Sequence, residues 1–205
     1  MDLFASIRRN SLGLGIFAVL TAGLIATIHL VTEQTIKDNV IAAQVAAFNE
    51  ILPPDLYDND LTKSTAMIPA DPLLGSVKAS KIYIARKDGD VSAIIFDTIA
   101  PGGYNGSLGL LVAIDKNGVV TGTRVISQQE TPGLGDKVDL KKSKWILEFN
   151  NRSIGNPDLA GWNVKKDGGV FDQFTGATIT PRAVVKGVRH TLIYFNKHKD
   201  SLLAR

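Results

Sequence analysis

From Leu12 to Val31 the chain reads LGLGIFAVLTAGLIATIHLV, twenty residues without a charge. At about 1.5 Å per residue, a helix of that length spans roughly 30 Å, the hydrocarbon thickness of a bilayer. Thr21, Thr27 and His29 are its polar interruptions. A cleaved signal peptide carries a shorter apolar run, of roughly 7–15 residues, followed by a small-x-small cleavage site. Residues 28–35 offer no such site, so the expectation is an uncleaved anchor held in membrane lipid. Arg8 and Arg9 precede the span and Glu33, Lys37 and Asp38 follow it. The positive-inside rule then puts the N-terminus in the cytoplasm and the rest of the chain outside, which in a bacterium is the periplasm. Ala18, Ala22 and Ala26, with Gly23 beside them, form a small-residue stripe. Such a stripe suits helix contact in lipid, or is ordinary membrane composition.

A chain of 205 residues leaves room beyond the anchor for one domain of about 150 residues. The formal charge is 23 − 20 = +3, of which Asp2, Arg8 and Arg9 supply +1. With +2 spread over the rest and no basic run, a nucleic-acid partner is not expected. Lys141, Lys142 and Lys144 come nearest to a cluster and read as a solvated helix face. The chain has no cysteine, which excludes disulfides, thiolate catalysis, iron–sulfur clusters and c-type haem attachment. Any electron carrier here must therefore be organic. His29, His190 and His198 are too scattered to suggest a metal site.

Beyond the anchor, Ile36, Val40, Ala43, Ala47 and Ile51 recur at helical steps until Pro53-Pro54, as in a stalk helix. Asp55 to Gly75 is polar and reads as loop. Lys81–Ala85 and Val91–Asp97 flank a Lys87-Asp88-Gly89-Asp90 turn. Leu108–Ile114 and Val119–Ile126 flank Asp115-Lys116-Asn117-Gly118, whose Asn-Gly pair tolerates positive φ. These are two hairpins of an antiparallel sheet. Leu140 to Phe149 suggests a short amphipathic helix, and Trp162 to Val170 one or two more strands, broken at Asp167-Gly168-Gly169. The last element is a helix with Thr180 as its N-cap, Pro181 at its first position, and Val184, Val188, Thr191, Leu192 and Phe195 on one face. Sheet followed by helix gives an α+β domain. The expected organisation is a cytoplasmic segment over 1–11, a transmembrane helix over 12–31, stalk and linker over 32–75, and a periplasmic domain over 76–205.

The last helix is preceded by Thr175-Gly176-Ala177-Thr178. A helix N-terminus presents free N–H groups and a positive dipole end, a ready phosphate site. With Thr180 taken as the cap, Thr175 and Thr178 are the free hydroxyls, and Gly176 and Ala177 clear space around them. The same residues also make an ordinary small-residue turn feeding a capped helix.

Asp172-Gln173-Phe174-Thr175-Gly176-Ala177-Thr178 resembles the Asp-x-x-Ser/Thr-Gly-Ala-Thr signature of FMN-binding domains that carry flavin covalently. Glu130-Thr131-Pro132-Gly133-Leu134-Gly135-Asp136 resembles the segment lying along the flavin in that family, and Pro101-Gly102-Gly103-Tyr104-Asn105-Gly106 is a third match. With the single anchor, nearly the whole chain resembles the G-subunit family of Rnf complexes, also called Rsx. That family is related to a flavin-carrying component of the sodium-pumping NADH:quinone reductase, which shares the flavin motif. The resemblance implies FMN esterified through its phosphate to Thr178 by a dedicated flavin transferase. It implies a pocket that includes Gly103, Tyr104, Glu130, Thr131, Pro132, Gly133, Leu134, Gly135, Asp172, Thr175, Gly176 and Ala177. It further implies electron transfer between neighbouring membrane and redox subunits of an ion-translocating complex in a bacterial inner membrane, with no catalytic residue of the chain's own. Gln128 stands where histidine is common in the family.

On the residues alone, each of these segments also has a plainer reading. The Pro-Gly stretch is a turn with positive-φ glycines. Gly102, Gly103 and Gly106 match neither a Walker loop nor a dinucleotide fingerprint. A non-redox, membrane-tethered interaction domain and an FMN-carrying protein of the quinone reductase type stand as alternatives. A Ser/Thr hydrolase lacks a His-Asp pair at a recognisable motif position.

Overall fold

A computed structural model describes residues 2–205; Met1 and the side chains of residues 2–6, 37, 40 and 43 lie outside the described residues. With them go Asp2 and Lys37 of the charge pattern, Val40 and Ala43 of the stalk repeat, and the side chains at the start of the 1–11 segment. Helix α1 (Asp2–Ile51) comes first. The chain divides into two compact units, the first running to Gln44 and the second comprising Val45–Arg205.

In the first unit, Ile7–Ile36 is a helical stretch long and apolar enough to cross a membrane. Thr21, Thr27 and Thr32 in it bond back to helix carbonyls. Thr21 donates to the Phe17 carbonyl at 2.8 Å and Thr27 to the Gly23 carbonyl at 2.8 Å. Bonding back to the same helix removes the penalty that an unpaired hydroxyl meets in hydrocarbon.

The second unit is built on five antiparallel strands in sequence order: β1 (Thr65–Ile68), β2 (Ser80–Lys87), β3 (Asp90–Gly103), β4 (Gly106–Asp115) and β5 (Val120–Ser127). Helix α2 (Ile179–Leu203) follows, so the domain is α+β. Successive side chains on a strand point to opposite faces. Ile82, Ile94, Phe96, Leu110 and Val112 share one buried cluster with Val184, Val188, Leu192 and Phe195 of α2. Tyr83, Ile95, Leu111 and Ala113 share a second with Phe48, Ile51 and Leu52. Both faces are covered, which is why the middle of β3, Ala93-Ile94-Ile95-Phe96, is an unbroken apolar run.

Both expected hairpins form. The β2–β3 turn places Asp88 at φ 53° and Gly89 at φ 91°, the mirror-image turn that matches strand twist. After β4, only Gly118 takes positive φ; Asp115 Oδ1 instead accepts from the N–H groups of Asn117 and Val119 at 2.9 and 2.8 Å. The glycine-rich stretch 101–106 is a third hairpin tip, since β3 runs to Gly103 and β4 starts at Gly106.

Four expectations need correction. The polar 55–75 segment is not all loop, because Thr65–Ile68 pairs with β2 as an edge strand. In place of a helix over 140–149 there is a 3-10 turn, Lys144–Phe149, capped by Ser143 and burying Trp145, Ile146 and Phe149. Residues 162–170 form no strand; a 3-10 turn at Lys165–Asp167 is followed by one isolated bridge from Val164 to Phe171. Thr180 does not cap α2, which begins one residue earlier with Thr178 in the capping position.

Candidate functional site

The path of residues 171–180 towards α2 is set by aromatic packing. Phe171 is fully buried, its ring centroid 4.7 Å from that of Phe149 and 5.1 Å from that of Trp162. Phe174 packs edge-on against Trp145 at 5.2 Å, and the Trp145 indole N–H donates to the Asp172 carbonyl at 2.8 Å. Aromatic pairs of this kind hold geometry as well as area. Between these anchors and the helix lies a tight turn, closed by the Ala177 N–H donating to the Phe174 carbonyl at 3.0 Å. Gly176 sits in it at φ 78°, a conformation glycine adopts without steric cost.

The three threonines of this stretch separate cleanly. Thr175 is exposed on the turn. Thr178 is half-buried at the capping position of α2, and its side chain makes no capping hydrogen bond. Thr180 is fully buried and donates its hydroxyl to Oε2 of Glu130 at 2.6 Å. The expected cap is therefore committed elsewhere, and Thr178 is the hydroxyl left at the helix end.

A cavity of about 570 Å³ opens there, lined by Tyr104, Glu130, Thr131, Leu134, Gly135, Lys166, Gly176, Ala177, Thr178, Ile179 and Thr180. That volume falls within the roughly 300–1,000 Å³ of small-molecule sites. The three segments singled out in the sequence, separated by tens of residues, meet in this one place. Gly103, Pro132, Gly133, Asp172 and Thr175 are not among the lining residues. Asp172 is exposed and paired with Lys165 at 2.6 Å. Gly103 backs the wall, because a Cβ there would lie 2.8 Å from Glu130 Oε1. At Gly135 a Cβ would lie 2.5 Å from Glu130 Oε2 and 2.7 Å from the Thr180 hydroxyl. The two glycines thus leave room for the Glu130 carboxylate, which is only 7% exposed.

Glu130 is held by three contacts. Its Oε1 accepts from the Asn105 N–H at 3.2 Å, its Oε2 accepts from Thr180, and its own N–H donates to Gln128 Oε1 at 2.6 Å. Asn105 Nδ2 donates to the Gln129 carbonyl at 2.9 Å, tying the β3–β4 tip to the loop after β5. Gln128 therefore acts as a neutral acceptor inside this loop.

Lys166, Ile179 and Thr180 line the cavity without having been expected to. Lys166 lies in a loop clamped to α2: Arg182 donates from Nε and Nη2 to Asp167 at 2.6 and 2.9 Å, a two-point fork. These hydrogen bonds hold the Asp167 carboxyl below its ordinary value and raise the Arg182 guanidinium. Gln173 Oε1 accepts the Lys166 N–H at 3.1 Å, joining this loop to the Thr175 turn. Below the loop, burial pushes the Glu148 carboxyl up.

The wall fits a flavin mononucleotide. Tyr104, Leu134 and Ile179 give an apolar, partly exposed surface for a planar ring. Thr178, the start of α2 and Lys166 provide a hydroxyl, a positive helix end and a cation for a phosphate. Gly176 keeps the approach to Thr178 open, since a Cβ there would find only Leu134 at 3.5 Å.

Comparison with known proteins agrees with this geometry. A family model described as the FMN-binding domain matches residues 103–193, and one described as the RnfG N-terminal region matches residues 1–51. The G subunit of the ion-translocating oxidoreductase complex of Vibrio parahaemolyticus is 45% identical over 203 residues, covering 99% of this chain and 96% of that relative. The G subunits of the same complex are 43% identical in Shewanella piezotolerans, covering 97% of this chain and 94% of the relative, and 46% identical in Pseudomonas aeruginosa, covering 97% and 93%. With such identity running almost end to end, the chain belongs to the family of ion-translocating oxidoreductase complex G subunits.

Proposed function

We propose that this chain is a membrane-anchored flavoprotein that carries electrons through an FMN covalently attached at Thr178, within an ion-translocating complex of the Rnf/Rsx type. Residues 12–31 form its transmembrane anchor, and the folded unit stands in the periplasm of a bacterial inner membrane. Its partners are the other membrane and redox subunits of that complex and, during maturation, a flavin transferase.

One observation carries the reading. Among Thr175, Thr178 and Thr180, Thr178 alone combines a place on the cavity wall at the start of α2 with a hydroxyl engaged in no cap. Thr175 is on the exposed turn and Thr180 is bonded to Glu130. A phosphoester at Thr178 would lie within the first turn's field of free N–H groups and near Lys166.

FMN supplies the redox chemistry, while the protein supplies position and electrostatics. Leu134, Ile179 and Tyr104 offer apolar surface against which the ring would pack. Gly176 admits the transferase's substrate to the hydroxyl. Glu130, Asn105 and Thr180 lock the two loops and the helix start that frame the cavity. Thr178 spends its oxygen on attachment and acts as no nucleophile towards a substrate. Attachment removes cofactor loss as a failure mode outside the cytoplasm, where free flavin is not replenished.

Co-expression with a flavin transferase, followed by denaturing electrophoresis under ultraviolet light, tests this reading. The wild type and Thr175→Ala should fluoresce and Thr178→Ala should not. A fluorescent Thr178→Ala band, or a dark wild type, contradicts it.

A further inference from the structure

Glu130 presents an unusual combination: a carboxylate 7% exposed, on the wall of the proposed flavin cavity, whose hydrogen-bond donors are a hydroxyl and a backbone amide. Among the described residues no cation pairs with it; the other charged residue of the lining, Lys166, is exposed at the rim. Burying a charge without a counter-ion is costly unless fixed dipoles replace water. Here Thr180 and Asn105 do so, together with the positive end of α2, in which Thr180 is the second residue. Gly135 is bare against the carboxylate, where a Cβ would lie 2.5 Å from Oε2, and a Cβ at Gly103 would also crowd it, at 2.8 Å from Oε1. A neutral glutamine could accept from the Asn105 N–H in the same place, with its amide nitrogen donating to the Thr180 hydroxyl in the reverse direction, at less desolvation.

We propose that Glu130 sets the reduction potential of the cofactor: its buried negative charge opposes the arrival of an electron and keeps the bound flavin a stronger reductant than it would otherwise be. The inference rests on the FMN reading above. A buried charge acts through less water than an exposed one, so its Coulomb interaction is stronger than in bulk water and less screened by salt. One fixed charge beside the ring site is therefore enough to move a one-electron equilibrium by an order of magnitude. The electron comes from a one-electron carrier and leaves to another, and no bond to Glu130 forms or breaks. Glu130 is in this sense a positioning and tuning residue.

Potentiometric titration of the full-length, FMN-loaded protein in detergent, with mediator dyes, tests it. Glu130→Gln should raise the midpoint potential by at least the equivalent of a tenfold change in the one-electron equilibrium, about 59 mV, with little change on adding salt. Thr180→Val breaks the clasp and keeps the charge, so its potential should stay at or below that of the wild type. If Glu130→Gln does not fold, Glu130→Met, neutral and of similar length, carries the same expectation. An unchanged potential in the neutral variants overturns the proposal, as does an equal rise in Thr180→Val, which would assign the effect to loop geometry. A wild type that never acquires flavin overturns the FMN reading itself and this inference with it, an outcome told apart by the absence of a flavin spectrum before any titration.

Discussion

The hydroxyl of Thr180 donates to Oε2 of Glu130 across 2.6 Å, fastening the first turn of α2 to the loop after β5. Both side chains are buried, and a buried carboxylate deprived of a donor keeps its desolvation penalty without compensation. Thr180→Val should therefore cost the folded unit about 1.5–3 kcal/mol, which for a domain of this size lowers Tm by about 2–4 °C per kcal/mol. Thr175→Val, on the exposed turn, should stay within about 0.5 kcal/mol of the wild type. Thermal melts of the two variants make the check.

Gly135 is a second point of stress. An added methyl there would sit 2.5 Å from Glu130 Oε2, a contact that real Cβ atoms do not make. Gly135→Ala should lose about 1–3 kcal/mol and load flavin poorly, because the loop must shift to admit it. Gly155→Ala, where a Cβ meets nothing within 4 Å, should match the wild type in both respects. Chemical denaturation and flavin absorbance measure the pair.

Glu148 makes stability depend on pH in a defined direction. Burial is the largest influence and raises its carboxyl above the ordinary value of 4.5; the nearby Asp172 carboxylate adds to the rise, against the Asp172 N–H, Lys165 and Arg152. A raised acid binds its proton more tightly in the folded state. Its contribution is thus fully present below about pH 4.5 and is lost as pH rises through the folded value. Glu148→Gln should consequently melt above the wild type at pH 7, with the gap closing near pH 4. A gap of constant size across that range would contradict the assignment.

Lys166 contributes charge at the rim. In a Thr178→Ala background, which leaves FMN to bind reversibly, Lys166→Glu should weaken uptake of free FMN by roughly tenfold, about 1.4 kcal/mol, and the loss should shrink as salt is added. Fluorescence titration reads both. Riboflavin, lacking the phosphate, should bind the two proteins equally.

Local rules made much of this domain legible and non-local ones hid the rest. Asp88-Gly89 and the spacing from Val184 to Phe195 specify a hairpin and an amphipathic helix with only neighbouring residues as cause. Thr180 before Pro181 carries the standard signal of a cap, yet its partner is Glu130, fifty residues upstream, and a buried carboxylate outbids a capping amide. The edge strand Thr65–Ile68 is four residues long, too short to show a period, and exists because β2 offers it a partner. Lys166 reaches the cavity through the Arg182–Asp167 fork and the packing of Phe171, Trp162 and Phe149, contacts that no local window contains. Of the cavity residues, those inside contiguous motifs, such as Thr178 and Leu134, are readable in the sequence; the Arg182–Asp167 clamp joins residues fifteen apart and leaves no local signal.

The proposed function turns on a bond between Thr178 and the flavin phosphate. Peptide mass spectrometry on digested protein from a transferase-containing host measures it directly. A single modified peptide spanning residues 172–182 is expected, heavier by one FMN less one water, with fragment ions placing the increment on Thr178. An unmodified peptide, or the same increment located on Thr175 or Thr180, would contradict it.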